Sequence, residues 1–587
     1  MNKSNNSKND FDKEKRLISL VLCGEAGQGI QTIEGLLTRI FKLAGFNVFA
    51  TKEYMSRVRG GSNSTQIIIS NRRVSAPLNR IDILIPLDKS ALPHLRNRIG
   101  KDTIILGEKE KVLPEREIID IPFTRIAKEI GSPIFSNVVA VGLIASLFKV
   151  DQQIPLEYTK KRFFAKGEKI VQGNMTAIKR GYELVSDLIK KESVARLSIP
   201  IPNPEQDIKE EIILNGAEAV SLGAISGGCN FISSYPMSPS TGVLTFLSQY
   251  ANEFSIIAEQ AEDEISAINM ALGAWYTGAR GMVTTSGGGL ALMGEGVSLA
   301  GMMELPVVIH LAQRPGPATG LPTRTEQGDL ELALYSGHGE FPRIIYAPGG
   351  IQDLFYLTQR AFNLADKYQI PVFILTDEYL MDTYYNTLEF DLGKTKIEVY
   401  INKTNKNYKR YQLTKNGISD RGIPGRGEGL VLVDSDEHDE FGRITENLDL
   451  RKNMVEKRLK KFKELEKDKI SPELIGTREY EILIVGWGST YHIIKEAVEN
   501  LKKYKIAFLH FKQIYPLPSG IKEYFKKAKK TIVVENNATS QFGKLLELFT
   551  GIAVEHKILK FNGLPFFVDE LTDKLEKIMR REEIPHG

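Results

Sequence analysis

The sequence predicts a multidomain α/β protein, and three observations predict it. Short apolar, β-branched runs such as Gly281-Met-Val-Thr-Thr and Leu305-Pro-Val-Val-Ile-His-Leu-Ala alternate with segments of helical period. Several of these runs stop in Gly- and Ser-rich turns just before a helix, where a parallel sheet presents bare N–H groups at its carboxyl edge. The chain of 587 residues is long enough for about four domains of ordinary size.

Composition narrows the class. An apolar fraction of 42% and a charged fraction of 26% are ordinary for globular protein. A net charge of +4 is too small to argue for nucleic acid or a membrane surface as partner. The two cysteines, Cys23 and Cys229, lie far apart, so the chain has the ligands for neither an iron–sulfur cluster nor a structural zinc. Cysteine poverty fits a reducing, cytoplasmic setting. No run approaches the roughly 18 apolar residues of a membrane helix. Residues 1–16 are polar and charged and read as a disordered tail, not a signal peptide.

The first domain is expected over residues 17–195. A strand ending at Cys23 enters Gly24-Glu-Ala-Gly27-Gln-Gly29, followed by a helix from about Ile30 to Ala44. The spacing G-x-x-G-x-G matches neither the dinucleotide fingerprint nor a P-loop, so a tight turn and an anion site both remain open. Val48 to Tyr54 and Thr65 to Ser70 are strands flanking Ser56-Arg-Val-Arg-Gly-Gly-Ser-Asn63, a basic glycine loop that could hold an anion or simply be solvated. Asp82-Ile-Leu-Ile and Asp102-Thr-Ile-Ile-Leu are further strands, and Asn137 to Phe148 a buried helix. Residues 196–210, with Pro200, Pro202 and Pro204, form a stiffened linker.

The second domain, residues 211–390, reads as a doubly wound sheet. A helix from Asn215 leads to the strand Cys229 to Ser234, which ends in Tyr235-Pro-Met-Ser-Pro-Ser-Thr-Gly242. Ser238, Ser240 and Thr241 precede a helix, and one of them should cap it. In the stretch Glu259 to Met293, Ile265, Ile268 and Leu272 mark one buried helical face. Ala267, Ala271, Gly273 and Ala274 allow close packing against that helix. Glu259, Glu262 and Asp263 suit an N-terminal turn. Glu264 stands along the buried edge, where a carboxyl group has a raised pKa and can donate a hydrogen bond while neutral. Gly281 to Thr285 is a buried strand that ends in Ser286-Gly-Gly-Gly289. The strand from Leu305 carries His310, read as a packed core histidine. It runs into a proline-stiffened loop with Arg314, Thr319, Thr323 and Arg324, chemistry suited to a carboxylate, with Arg314 the better candidate.

Residues 391–478 are charged and weakly periodic, a connecting arm expected to pack on a partner subunit, with a Lys/Glu-rich helix read as a solvated face. Residues 479–587 return to the α/β pattern, and Glu535 and Asn536 at a strand end look like ligands.

The motifs in residues 235–241, Glu264, the turn 285–289 and the loop 314–320 together resemble the α subunit of 2-oxoacid:ferredoxin oxidoreductases. Residues 24–29 and 59–63 resemble that family's γ subunit, so the chain looks like a γ–α fusion, whose relatives act on 2-oxoglutarate. Met237-Ser238 departs from the Ile-Thr that many members carry. The resemblance implies a γ-type α/β domain, a pyrimidine-type thiamine diphosphate domain and a transketolase C-terminal-like domain. It implies coenzyme A-dependent oxidative decarboxylation of a 2-oxoacid, with electrons passed to ferredoxin. Glu264 would hydrogen-bond the aminopyrimidine ring, with Pro236, Ser286 and Gly287 also at the cofactor. Ser238 and Arg314 would hold the substrate's carboxylate, with Tyr235, Thr319 and Thr323 in the same pocket. Lys52 would meet a second, distal carboxylate, and coenzyme A would enter beside the first domain. The sequence holds no Gly-Asp-Gly followed by Asn and no cluster cysteines. The Mg²⁺–diphosphate site and the [4Fe-4S] cluster are therefore expected on a β subunit, in an αβ heterodimer or its dimer, and no metal site is assigned to this chain. Rival readings are an assembly protein that kept the fold, an aryl-pyruvate enzyme, or a pyruvate or branched-chain 2-oxoacid specificity.

Overall fold

The computed structural model describes residues 17–25, 28–55, 61–113, 116–190 and 204–580. The expected tail 1–16, Ala26 and Gly27 of the first glycine turn, residues 56–60 of the arginine–glycine loop and 196–203 of the linker lie outside the described residues. The chain divides into two compact units. One runs to Leu214 and takes in Thr383–Glu389 and Phe567–Asp569; the other comprises Asn215–Asp382, Phe390–Phe566 and the chain from Glu570.

The first unit is built on an eight-stranded mixed sheet. Leu17–Glu25 lies at its centre, parallel to Ile81–Pro86 and antiparallel to Ser62–Ser70. Ile30–Leu43 and Ser136–Leu147 supply apolar side chains, among them Ile33, Leu37, Phe41, Val139 and Leu143, to one core cluster. Two segments from beyond the first domain complete the sheet: Tyr384–Thr387 pairs with Asn47–Glu53 and with Ile212–Leu214. At the first glycine turn, Gly29 takes a left-handed φ of 77° just before the helix. The Glu25 N–H there donates to Asp88 Oδ2 at 2.6 Å, so a carboxylate of the chain already occupies that donor.

The second unit holds a seven-stranded sheet and a five-stranded one. In the larger sheet Val307–Gln313, Gly281–Thr285, Phe231–Ser234 and Ile257–Gln260 lie side by side and parallel. The chain steps outward from Phe231–Ser234 to Ile257–Gln260, then crosses back to Gly281–Thr285. This reversal is the kind of switch point that opens a crevice at the carboxyl ends of strands. His310 is fully buried within its strand, as expected, between Thr284 Oγ1 at 2.7 Å and Thr376 Oγ1 at 2.9 Å. Burial drives its pKa down to about 3, so it stays neutral.

Several expectations are corrected. In helix Glu264–Tyr276 the buried stripe is Glu264, Ala267, Ile268, Ala271, Leu272 and Trp275. Ile265 is 49% exposed, because the stripe starts one residue earlier than the apolar pattern suggested. Ala267 and Ala271 do pack closely, whereas Gly273 faces open space. Asp263 is the N-cap, its carboxylate accepting from Ser266 N at 2.7 Å. Helix Thr241–Gln249 has no such cap: Ser240 Oγ instead donates to the Met237 carbonyl at 2.7 Å.

The Lys-rich helix Leu448–Leu465 does not present a wholly solvated charged face. Lys457, Arg458 and Lys461 are buried within this unit. Lys457 Nζ lies 2.7 Å and Lys461 Nζ 2.6 Å from the fully buried carboxylate of Glu304, and Arg410 donates to the Glu304 carbonyl at 2.6 Å. Burial would raise the Glu304 carboxyl, but these cations hold it well below the usual carboxylate range.

Glu535 is no ligand. Its carboxylate is filled by Trp487 Nε1, Asn537 Nδ2, Ser540 Oγ and the N–H groups of Phe542 and Gly543, at 2.8–3.2 Å. Asn536 is likewise engaged: its backbone N–H donates to Gln327 Oε1 at 2.9 Å and its side chain to the Lys560 carbonyl at 2.6 Å.

Candidate active site

The carboxyl ends of four neighbouring strands in the second unit bring the predicted motifs to one edge. Phe231–Ser234 delivers Tyr235, Pro236 and Ser238; Ile257–Gln260 leads to Glu264; Gly281–Thr285 leads to Ser286 and Gly287; Val307–Gln313 leads to Arg314. Arg314 Nη1 donates to the Ser238 carbonyl at 2.7 Å, joining the first and last of these loops.

The glycines of the Ser286–Gly289 turn are required by what packs on them. A Cβ at Gly289 would lie 2.0 Å from Thr285 Oγ1 and 2.7 Å from both Glu264 Cγ and Glu264 Oε1. A Cβ at Gly287 would lie 2.5 Å from both carboxylate oxygens of Asp329. Two acids therefore flank one turn. Neither Asp329 nor Gly289 is singled out by sequence reasoning; Asp329 stands at the N-cap position of helix Leu330–Tyr335, yet its side chain makes no cap hydrogen bond.

Among the described residues, Glu264 Oε1, Ser286 Oγ and Asp329 Oδ2 are buried without a hydrogen-bond partner. Buried polar atoms are rarely left so, since each costs about 1–3 kcal/mol. Glu264 is 3% exposed. Burial raises its pKa and Asp263 adds to this, while its backbone and Arg314 pull the other way. Burial raises Asp329 to about 7, helped by Glu326 and opposed by Arg314. Arg314, half-buried, is lowered by burial and raised by Asp329 and Glu264. The edge thus carries one acid, Asp329, that exchanges its proton near neutrality, a second, Glu264, whose pKa burial raises, and three buried polar atoms without a partner, beside the Arg314 cation.

Of the remaining predicted residues, Tyr235 and Ser238 are exposed, Pro236 and Thr323 half-buried, and Thr319 exposed on the loop after Arg314. Lys52 belongs to the first unit. Its ammonium lies 3.9 Å from Glu34 Oε2 and 5.0 Å from the Tyr384 ring centroid.

Comparison with known proteins identifies the family. Residues 222–457 fit the family described as pyruvate flavodoxin/ferredoxin oxidoreductase, thiamine diphosphate-binding, and residues 19–184 fit pyruvate ferredoxin/flavodoxin oxidoreductase. The 2-oxoacid:ferredoxin oxidoreductase α subunit of Saccharolobus solfataricus is 32% identical over 97% of this chain and 99% of its own length. A Sulfolobus α subunit is 31% identical over 96% and 98%. The 2-oxoglutarate synthase subunit KorA of Archaeoglobus fulgidus is 34% identical over 56% of this chain and 88% of its own. A solved structure, 2-oxoglutarate:ferredoxin oxidoreductase from Magnetococcus marinus with 2-oxoglutarate, coenzyme A and succinyl-CoA bound, is similar with a TM-score of 0.89. It is 30% identical and covers 96% of this chain and 99% of that one.

Fold and site together define a subunit of an oxidoreductase with a thiamine diphosphate-binding domain. The chain belongs to the 2-oxoacid:ferredoxin oxidoreductases, as an α subunit with a γ-type domain fused at its N-terminal side. The residues at the strand edge fit thiamine diphosphate: a buried carboxyl with an unsatisfied oxygen, a buried unsatisfied hydroxyl and a glycine turn stand together there. Among the described residues no helix is long and apolar enough to cross a membrane.

Proposed function

We propose that this chain is half of a coenzyme A-dependent 2-oxoacid decarboxylase, preferring 2-oxoglutarate and passing two electrons to ferredoxin. In the balance, the 2-oxoacid and coenzyme A become an acyl-CoA and carbon dioxide, and one-electron acceptors take up the electrons. When bound, thiamine diphosphate supplies the carbanion-stabilising centre that lets the carboxylate leave. The observation that carries the reading is the buried Glu264 carboxyl, with an unpartnered Oε1, at the same edge as Arg314.

In this reading Glu264 holds a proton against the aminopyrimidine, and Ser286 Oγ and the Gly287 backbone seat the ring. Arg314 and Ser238 orient the carboxylate next to the keto group. A bidentate guanidinium suits that task. A β subunit brings the diphosphate's Mg²⁺ and the [4Fe-4S] cluster, for which this chain has no motif. Support for 2-oxoglutarate comes from the KorA relative and from the 2-oxoglutarate and succinyl-CoA bound in the similar Magnetococcus marinus structure. The second carboxylate of that substrate needs a cation, since a desolvated and unpaired charge is costly. Lys52 is the residue that the family resemblance assigns to it. For coenzyme A, the first unit offers a cavity of about 640 Å³ lined by Phe123, Phe135 and Phe163 with Lys111 and Lys166.

The test is reconstitution. Co-purified with its β subunit, the protein should reduce ferredoxin only when coenzyme A and a 2-oxoacid are both present. Its kcat/KM should be higher for 2-oxoglutarate than for pyruvate or branched 2-oxoacids. The isolated chain should be colourless and inactive. Turnover by the chain alone would sink the half-site reading, and preference for another acid would sink the substrate assignment.

A further inference from the structure

Asp329 is an acid with a mismatched address. It stands at the N-cap position of helix Leu330–Tyr335, yet its side chain caps nothing. Its carboxylate is instead packed against Gly287, 2.5 Å from where a Cβ would stand, and Oδ2 is buried without a partner among the described residues. Its own N–H donates to Gln313 Oε1 at 2.9 Å, which ties it to the residue just before Arg314. Asp329 and Arg314 influence each other through space, with no hydrogen bond between them.

We propose that Asp329 is a positioning residue for carboxylate recognition. Its neutral form leaves the Arg314 guanidinium to the substrate, and its ionised form draws that guanidinium away. The inference rests on the reading in which Arg314 binds the substrate's carboxylate.

The surroundings favour this assignment over a plain structural acid. The turn packed on Asp329, Ser286 to Leu292, carries no titratable side chain. From the strand end comes Arg314 and from its own loop Glu326, while Glu264, from the helix that precedes strand Gly281–Thr285, packs on the same turn at Gly289. Glu331 on its own helix is already taken by Lys544 at 2.8 Å. Arg343 is spent on the carbonyls of Ala333 and Ser336 at the far end of that helix. Arg314 is therefore the one cation among these groups that can answer a change in the charge of Asp329. Burial places that change at about 7, between the two pH values compared below.

The experiment is calorimetric binding of N-oxalylglycine, an unreactive isostere of 2-oxoglutarate, to the complex of this chain with its β subunit and thiamine diphosphate. If only the form with neutral Asp329 binds well, affinity should fall about tenfold from pH 6 to pH 8, following the neutral fraction. In Asp329→Asn that fall should shrink to less than about twofold. Asp329→Ser serves if the amide does not fold. In turnover, the pH effect should lie in KM and not in kcat. Flat binding by the unmodified complex between pH 6 and pH 8 overturns the inference without any variant. A slope that persists in Asp329→Asn, or that vanishes in Glu264→Gln, overturns it as well. Arg314→Gln tells the two readings apart: if it binds as well as the parent, carboxylate recognition by Arg314 is wrong. If it binds poorly at both pH values, that recognition stands and only Asp329 is on trial.

Discussion

A single added methyl group tests the active-site geometry. In Gly289→Ala the new Cβ would stand 2.0 Å from Thr285 Oγ1 and 2.7 Å from Glu264 Cγ and Oε1. Ordinary carbon contacts are about 3.5–4.0 Å, so the Glu264 side chain would have to withdraw by about 1 Å. Overpacking of this kind costs about 1–3 kcal/mol, which a unit of this size survives. A displacement of about 1 Å at a catalytic group costs on the order of 10²-fold in rate. Gly289→Ala should therefore fold, with a modest fall in Tm, and lose about 10²-fold in kcat for 2-oxoacid-dependent ferredoxin reduction. Thr285→Ala combined with Gly289→Ala removes the hydroxyl clash but not the carboxylate clash, so it should recover stability without recovering rate. Turnover of Gly289→Ala within twofold of the parent would refute the claim that this glycine keeps Glu264 in register.

Three further outcomes follow from particular contacts. Glu264→Gln should keep thiamine diphosphate bound yet slow turnover by about 10²–10⁴-fold, the usual worth of a positioned acid–base group; near-normal rates would remove Glu264 from the chemistry. Lys52→Ala should cost 2-oxoglutarate about 2–5 kcal/mol in kcat/KM while leaving pyruvate nearly unchanged. Equal losses for both substrates would instead point to the Glu34 pairing as its main role. Glu304→Ala strands Lys457 and Lys461 in the interior and should destabilise the second unit by about 3–5 kcal/mol in denaturant unfolding. The native Glu304 carboxyl is held below its ordinary value, so its contribution is present above the ordinary carboxylate range and lost as pH falls. Glu304→Gln should accordingly flatten the acid limb of the stability curve, and an unchanged limb would contradict the assignment.

Much of the site is legible in the sequence because it follows strand ends. Tyr235-Pro, Ser286-Gly and Arg314 each come directly after a buried strand, and a parallel sheet lines up such positions whatever packs around them; Glu264 follows the largely exposed strand Ile257–Gln260, whose Glu259 the sequence suggested for a helical turn. Asp329 and Gly289 are not legible in this way, because nothing local distinguishes an acid that caps a helix from one that turns aside onto a glycine.

The sequence by itself determined the alternation of strands and helices, the buried histidine of the central strand, and the motifs that carry the family. These depend on short-range periodicity and on single residue types with few substitutes. Only the tertiary structure decided where the charged arm goes. Lys457 and Lys461 share a helix with solvated lysines, and the pattern along that helix does not separate them. What buries them is Glu304, about 150 residues away in sequence and itself fully enclosed. A buried carboxylate must be paired, so the lysines that reach it become interior, and that pairing exists only once the chain is folded.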